Sequence, residues 1–177
     1  MINAYEYGKA LFSLAEEEGI SDEVFSELLA VSGVLADHPD YKTLLDTPAI
    51  PAEEKPKLID EAFGGAHPYV RDFLKILSGK RAVGDLEACC RVYGECLDES
   101  RGILRAVAKT AVPMTDAQIT KLADKISAIT GKTAVLTNVC DPEVIGGVTL
   151  LYDGSRFDGS VYARLEGLRK QLSGLTL

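Results

Sequence analysis

The sequence predicts an α+β chain: an N-terminal six-helix bundle over residues 1–102, then a small domain over 103–177 of β-α-β-β-α order. Three observations predict it. Apolar residues in the first hundred positions recur at helical spacing between capping and stop residues. At Arg101-Gly102 the pattern shifts to short Ala/Val-rich runs of strand type. The charge changes at the same place: residues 1–102 carry 10 Lys+Arg and 20 Asp+Glu, net −10, and residues 103–177 carry 9 and 7, net +2. Two surfaces of different character point to two different partners.

The first helix covers about Ala4 to Glu18 and stops at Gly19. Ser21 is placed to cap the second, with Asp22 and Glu23 at its positive dipole end. Val24, Leu28, Val31 and Leu35 form one stripe there, closed by His38-Pro39. A short third helix holds Tyr41, Leu44 and Leu45. Pro51 opens a fourth, with Glu53-Glu54 in its first turn and Leu58, Ile59, Ala62 and Phe63 inward. Pro68 opens a fifth through Val70, Phe73, Leu74 and Leu77, ended by Gly79-Lys80. A sixth runs from Val83 to Ser100, with Leu86, Cys89, Cys90, Tyr93, Cys96 and Leu97 inward. Six helices on short connections are bundle grammar.

Ile103–Val112 then reads as a strand. Thr115 caps a helix whose buried face is Ile119, Leu122, Ala123, Ile126 and Ile129, ended by Gly131. Thr133–Val139 and Val144–Tyr152 are further strands, and Asp153-Gly154 is a two-residue hairpin signal leading into Ser155-Arg156-Phe157. Asp158 or Ser160 caps a last helix with Val161, Leu165, Leu168, Leu172 and Leu175 spaced 4, 3, 4, 3. Arg164, Arg169 and Lys170 suit its C-terminal half or an acidic partner helix.

Composition excludes several classes. The 177 residues carry net charge −8, with 46% apolar and 26% charged residues, so a disordered coil is excluded. The acidic balance argues against nucleic acid and against docking on anionic lipid. No run approaches the ~20 apolar residues of a membrane span, and the first residues lack the pattern of a secretory or import signal. Cys89, Cys90, Cys96 and Cys140 contain no Cys-x-x-Cys, and the histidines are His38 and His67, which argues against zinc and a disulfide framework. No cofactor is expected.

No catalytic constellation stands out. Gly146-Gly147 lacks the Lys-Ser/Thr of a phosphate-binding loop and reads as a bulge or close backbone approach in a strand. The run Asp153 to Gly159 fails as a calcium loop, since Arg164 stands where a bidentate Glu is needed. Glu16-Glu17-Glu18 and Glu53-Glu54 point different ways around their helices. A cysteine nucleophile requires an adjacent base, and nothing in the sequence joins His67 to Cys89.

Two helices carry more apolar surface than one contact needs. The first has Tyr7, Ala10, Leu11 and Leu14 on one face, and Ala4, Gly8, Leu11 or Phe12, and Ala15 in a second line. Gly8 inside a helix costs ~1 kcal/mol against Ala. The fifth leaves Tyr69 and Ile76 flanking its inner face. Either both helices sit centrally in their own bundle, or they form a groove for a partner's amphipathic helix.

The segments Tyr7-Gly-Lys-Ala-Leu-Phe12, Phe73-Leu-Lys-Ile-Leu77 with Lys80-Arg81, and above all Ile145-Gly-Gly-Val-Thr-Leu-Leu-Tyr-Asp-Gly-Ser-Arg-Phe-Asp-Gly-Ser-Val-Tyr-Ala-Arg-Leu-Glu-Gly-Leu-Arg-Lys-Gln-Leu172 resemble one family. They are similar to the delta subunits of F-type ATP synthase, relatives of the oligomycin-sensitivity-conferring protein. Gly146, Gly147, Asp158, Gly159, Ser160, Arg164, Leu165 and Leu168 carry the C-terminal pattern. Gly8 stands where that family commonly has Ala.

The resemblance implies a non-catalytic peripheral-stalk subunit, present once in a hetero-oligomeric complex and coupling rotor torque to proton-driven ATP synthesis. It implies a helical bundle that takes the alpha subunit's N-terminal helix between helices one and five, pointing to Ala4, Tyr7, Gly8, Leu11, Ala15, Tyr69, Phe73 and Ile76. It implies a C-terminal domain that meets the b subunit's C-terminal end. The location implied is the cytoplasmic face of a bacterial membrane, peripheral and without direct lipid insertion. Gly8→Leu is then expected to block the groove and leave the bundle folded. The other classes are a free-standing binding or regulatory protein with a small-ligand site in 103–177, and a thiol enzyme.

Overall fold

The computed structural model describes residues 3–142, 144, 146–152 and 155–159. The hairpin residues Asp153-Gly154, the cap Ser160 and the last helix, with Arg164, Leu165 and Leu168, lie outside them. The chain mixes helices and sheet and divides into two compact units, Met1–Leu97 and Asp98–Leu177.

The first unit carries α1 (Ala4–Glu17), α2 (Ser21–Asp37), α3 (Pro39–Asp46), α4 (Lys55–Ala62) and α5 (Pro68–Gly79). A one-turn 3-10 helix (Val83–Asp85) leads into α6 (Leu86–Ser100). The stripe Val24, Leu28, Val31, Leu35 is buried throughout. Three details depart from expectation. Ser21 is the first helical residue of α2, the flanking position is Ile20, and no side chain caps it. The Ser21 carbonyl instead accepts from the Tyr93 hydroxyl at 3.0 Å. Helix α4 starts at Lys55 with Pro56 in its first turn, so Pro51 and Glu53-Glu54 precede it. Both prolines suit a helix start, and only the second is used. In α3 only Leu45 is buried, and Leu44 remains exposed.

The core gathers around Tyr93, which is 0% exposed. Phe25 stacks on its ring at 5.4 Å and Phe12 meets it edge-on at 5.5 Å. Polar ties close the α3 end. The Leu45 carbonyl accepts from the buried Lys55 ammonium at 2.6 Å and from the Ser78 hydroxyl at 2.9 Å. Asp46 accepts from the Val83 and Gly84 amides, fixing the start of the 3-10 turn.

The second unit carries β1 (Ile103–Thr110), α7 (Asp116–Thr130), β2 (Thr133–Cys140), β3 (Val148–Tyr152) and β4 (Ser155–Asp158). The sheet order is β2-β1-β3-β4. Strands β1 and β2 run parallel, Ile103 opposite Thr133; β3 is antiparallel to both β1 and β4. Among the described residues the sheet thus has four strands where the sequence predicts three. Tyr152 pairs with Ser155, so the hairpin signal is followed by a short strand, and Asp158, expected as a cap, pairs with Thr149 inside it. Gly146-Gly147 precede β3 and lie outside any strand. Gly147 has φ +88°, a left-handed conformation that side-chain-bearing residues rarely adopt.

Helix α7 begins as its sequence dictates. Thr115 and Gln118 form a reciprocal capping box. Its apolar face is shallower than expected. None of its residues is fully buried, and Ile129 is 85% exposed. At 100° per residue Ile129 lies roughly 80° around the helix from Ile119, at the rim of the stripe. Thr115→Ala removes the cap and is expected to cost about 1 kcal/mol, read as an earlier thermal transition of this unit with its circular dichroism spectrum unchanged before melting.

Candidate partner-binding face

Helices α1 and α5 repeat one spacing. Tyr7, Leu11 and Leu14 on α1 and Tyr69, Phe73 and Ile76 on α5 stand at i, i+4, i+7. In each set the middle residue is buried, Leu11 at 6% and Phe73 at 5% exposure. The outer residues remain open: Leu14 is 43% and Ile76 50% exposed, and Tyr7 and Tyr69 are half-buried against the core. The Tyr69 hydroxyl donates to the Glu18 carboxylate, which puts the start of α5 beside the end of α1. That bond raises the Tyr69 phenol's pKa above its usual value.

His67 flanks the start of α5, and its Nδ1 accepts from the Tyr69 amide at 3.3 Å. On the same helix Lys75 pairs with Asp60 at 2.8 Å and Arg71 pairs with it at 3.2 Å. The Lys75 hydrogen bond leads in holding the Asp60 carboxyl below its usual range.

The second line of small residues serves a different purpose from the one expected. Gly8 and Ala15 are buried, and Ala4 is half-buried against the core. A Cβ on Gly8 would lie 2.7 Å from the Cys89 carbonyl oxygen and 3.0 Å from the Val92 Cβ. Gly8 thus receives the protein's own α6, which excludes the expectation that Gly8→Leu leaves this unit folded. Leu14, which its spacing groups with Tyr7, Ala10 and Leu11, is one of the open positions.

The family-motif glycines serve the backbone. Gly159 donates to the Val148 carbonyl at 3.0 Å, and a Cβ there would lie 2.9 Å from that same oxygen. A shallow cavity of about 420 Å³ lies between the α2–α3 junction and the end of α4, lined by residues that include Asp37, His38, Tyr41 and Phe63. The Tyr41 hydroxyl there is committed to the Leu58 carbonyl at 2.8 Å.

The thiols do not form a reactive site. Cys89 and Cys90 are buried, Cys96 half-buried and Cys140 exposed. Burial, with Cys90 and Asp85 adding, pushes the Cys89 thiol up to about 11. Alkylation at pH 8 is therefore expected to modify Cys140 first, and Cys89 and Cys90 only in denaturant. An acid whose folded pKa is raised stabilises the fold below its unfolded value of ~8.5 and loses that contribution as pH climbs toward 11. Urea midpoints are expected to fall across that window, less steeply in Cys89→Ala.

Among the described residues no three His, Cys, Asp or Glu side chains gather to hold a metal ion. No described helix is long and apolar enough to cross a membrane.

Comparison with known proteins gives the context of this face. The family model for the ATP synthase delta (OSCP) subunit matches residues 4–172. A protein named ATP synthase subunit delta from Alkaliphilus metalliredigens (strain QYMF) is 36% identical over 170 residues, covering 96% of this chain and 94% of that one. One of the same name from Geobacillus sp. (strain WCH70) is 32% identical over 174 residues, covering 98% of each. A chain in the cryo-EM structure of the Toxoplasma gondii mitochondrial ATP synthase hexamer shares the fold, with TM-score 0.71 and 19% identity, over 97% of this chain and 98% of that chain. The chain belongs to the ATP synthase delta (OSCP) subunit family.

Proposed function

We propose that this chain is the stator link of a rotary F-type ATP synthase, holding the catalytic head to the peripheral stalk. The family is a non-catalytic structural subunit of that complex. The observation that carries the reading is the pair of matched apolar rows, Tyr7-Leu11-Leu14 and Tyr69-Phe73-Ile76, with Leu14 and Ile76 exposed on a folded unit. An amphipathic helix docks on such i, i+4, i+7 rows, and its burial contributes ~25 cal/mol per Å² of apolar area. The occupant is the N-terminal helix of the alpha subunit. The net charge of −10 over residues 1–102 steers a cationic segment toward it.

The second unit meets the C-terminal end of the b subunit. Separate sites on separate units let head and stalk flex against each other under load. The chain sits once per complex on the cytoplasmic face of the bacterial membrane, held by its neighbours and not by lipid. Resistance to torque requires tight static contacts and no turnover, so buried unreactive thiols suit the role.

Stripped membranes that lack this subunit test the assignment. Adding the full chain is expected to restore binding of the catalytic head and ATP synthesis driven by a proton gradient. Failure of the head to rebind in its presence overturns the assignment.

A further inference from the structure

Helix α5 is capped at its start by an imidazole. His67 is the flanking residue, Pro68 opens the helix, and the Tyr69 amide donates to His67 Nδ1 at 3.3 Å. Pro68 has no amide hydrogen, and the Val70 and Arg71 amides donate to the His67 carbonyl at 3.0 and 3.2 Å. The imidazole is therefore the acceptor that serves the Tyr69 amide. A neutral ring has one accepting and one donating nitrogen, so this bond assigns its proton to Nε2. An imidazolium donates from both nitrogens and cannot cap.

The charges around the ring come from four elements. The first turn of α5 carries no acidic residue, so the positive end of its dipole disfavours an imidazolium there. Glu27 on α2 accepts from the His67 backbone amide, and Glu18, at the end of α1, accepts from the Tyr69 hydroxyl. The Tyr69 phenol lies beside the imidazole, with ring centroids 5.1 Å apart. One turn along α5, Arg71 is paired with Asp60 of α4.

We infer that His67 is a proton-sensitive positioning residue for the docking face on α1 and α5, an inference that rests on the head-binding reading. The neutral imidazole holds the first turn of α5, and with it Tyr69, a member of the apolar row that the head's helix meets. Protonation frees the Tyr69 amide, repels the ring from the positive helix end and draws it toward Glu27 and Glu18. At Glu18 the ring competes with the Tyr69 hydroxyl. Tyr69 then loses its fixed place, and the face loses affinity. Histidine is the side chain whose ordinary titration falls between about pH 5 and 8, so a link of this kind loosens as the surrounding solution turns acid.

An NMR series on the full chain from about pH 5 to 8, with and without a peptide of the alpha subunit's N-terminal segment, tests this. In the free chain the Tyr69 amide signal is expected to move with the His67 imidazole signal and share its midpoint, with the circular dichroism unchanged. A Tyr69 amide that stays still through the imidazole transition overturns the inference whatever the peptide does. An imidazole that takes no proton in this range overturns it too. Peptide affinity is expected to fall about fivefold or more from the alkaline to the acid side of the same transition. A flat affinity profile contradicts the proposal. Absence of peptide binding at every pH, with Tyr69 still following the imidazole, overturns the head-binding reading and limits His67 to shaping α5.

Three variants separate this imidazole from other titrating groups. His67→Asn supplies a side-chain oxygen that caps in place of Nδ1 and takes no proton. Its affinity is expected within a few-fold of wild type at about pH 7.5 and level across the range. His67→Ala lacks the cap and is expected to bind about fivefold more weakly at that pH, also with a level profile. His38, the chain's other histidine, lies at the α2–α3 junction, and His38→Asn is expected to keep the wild-type profile. A slope that persists in His67→Asn, or vanishes in His38→Asn, overturns the assignment to His67.

Discussion

Gly8→Leu is expected to unfold the N-terminal unit or to leave it barely stable. The first added atom would lie 2.7 Å from the Cys89 carbonyl oxygen, and that oxygen belongs to the backbone of α6. A flexible side chain could turn aside; a helix must move as a body. The remaining three carbons of leucine would then press on Val92, whose Cβ lies 3.0 Å from the position of the new Cβ. Overpacking of this kind costs typically 1–3 kcal/mol, and more where backbone blocks relaxation. Leucine gains about 0.8 kcal/mol of helix propensity over glycine, which does not offset it. A net loss of about 3 kcal/mol is a large part of a total stability of about 5–15 kcal/mol. The readout is a fall in melting temperature of about 10 °C or more, or an absent transition. A wild-type melting curve would show that α1 and α6 separate more easily than this packing allows.

Ile76→Asp has the opposite signature: little change in stability and a large loss of partner binding. Ile76 is half exposed on α5, so the carboxylate remains solvated in the free chain, and surface changes of this kind stay within about 0.5 kcal/mol. In the complex the same carboxylate would be buried against the apolar face of the alpha-subunit helix. It would lose the contact of an aliphatic side chain and pay for desolvation without a cationic partner. A weakening of 100-fold or more, roughly 2.7 kcal/mol, is expected in calorimetric titration with a peptide of the alpha subunit's N-terminal segment. Ile76→Val, which keeps the apolar surface, is expected to bind within a few-fold of wild type. Equal affinity of Ile76→Asp and wild type would remove α5 from the binding face.

These two residues show how far sequence reading reaches. Periodicity identifies a face, and it found both Gly8 and Ile76 as members of faces wider than one contact requires. It does not say what covers a face. Gly8 is covered by α6, whose register against α1 depends on every packed residue between them. Spacing of i, i+4, i+7 groups Leu14 with Tyr7 and Leu11, and only its 43% exposure separates it from the buried Leu11. Local chemistry was legible where one residue decides the outcome. Thr115 caps α7 and Pro68 opens α5 as expected. Where two residues compete, the choice was hidden. Pro51 and Pro56 both suit a helix start, and Ser21 competes with Ile20 for the capping position at the start of α2. The short strand β4 was legible only as the far side of a hairpin, because four residues carry too little alternation to declare a strand.

The central claim is that the catalytic head is held at the face formed by α1 and α5. The most direct measurement is an NMR titration of the isotope-labelled full chain with a peptide of the alpha subunit's N-terminal segment. Saturable shifts are predicted at Tyr7, Leu14, Tyr69 and Ile76, with the sheet residues of β1 to β4 unmoved. Shifts confined to the sheet unit, or no shifts at saturating peptide, would contradict it.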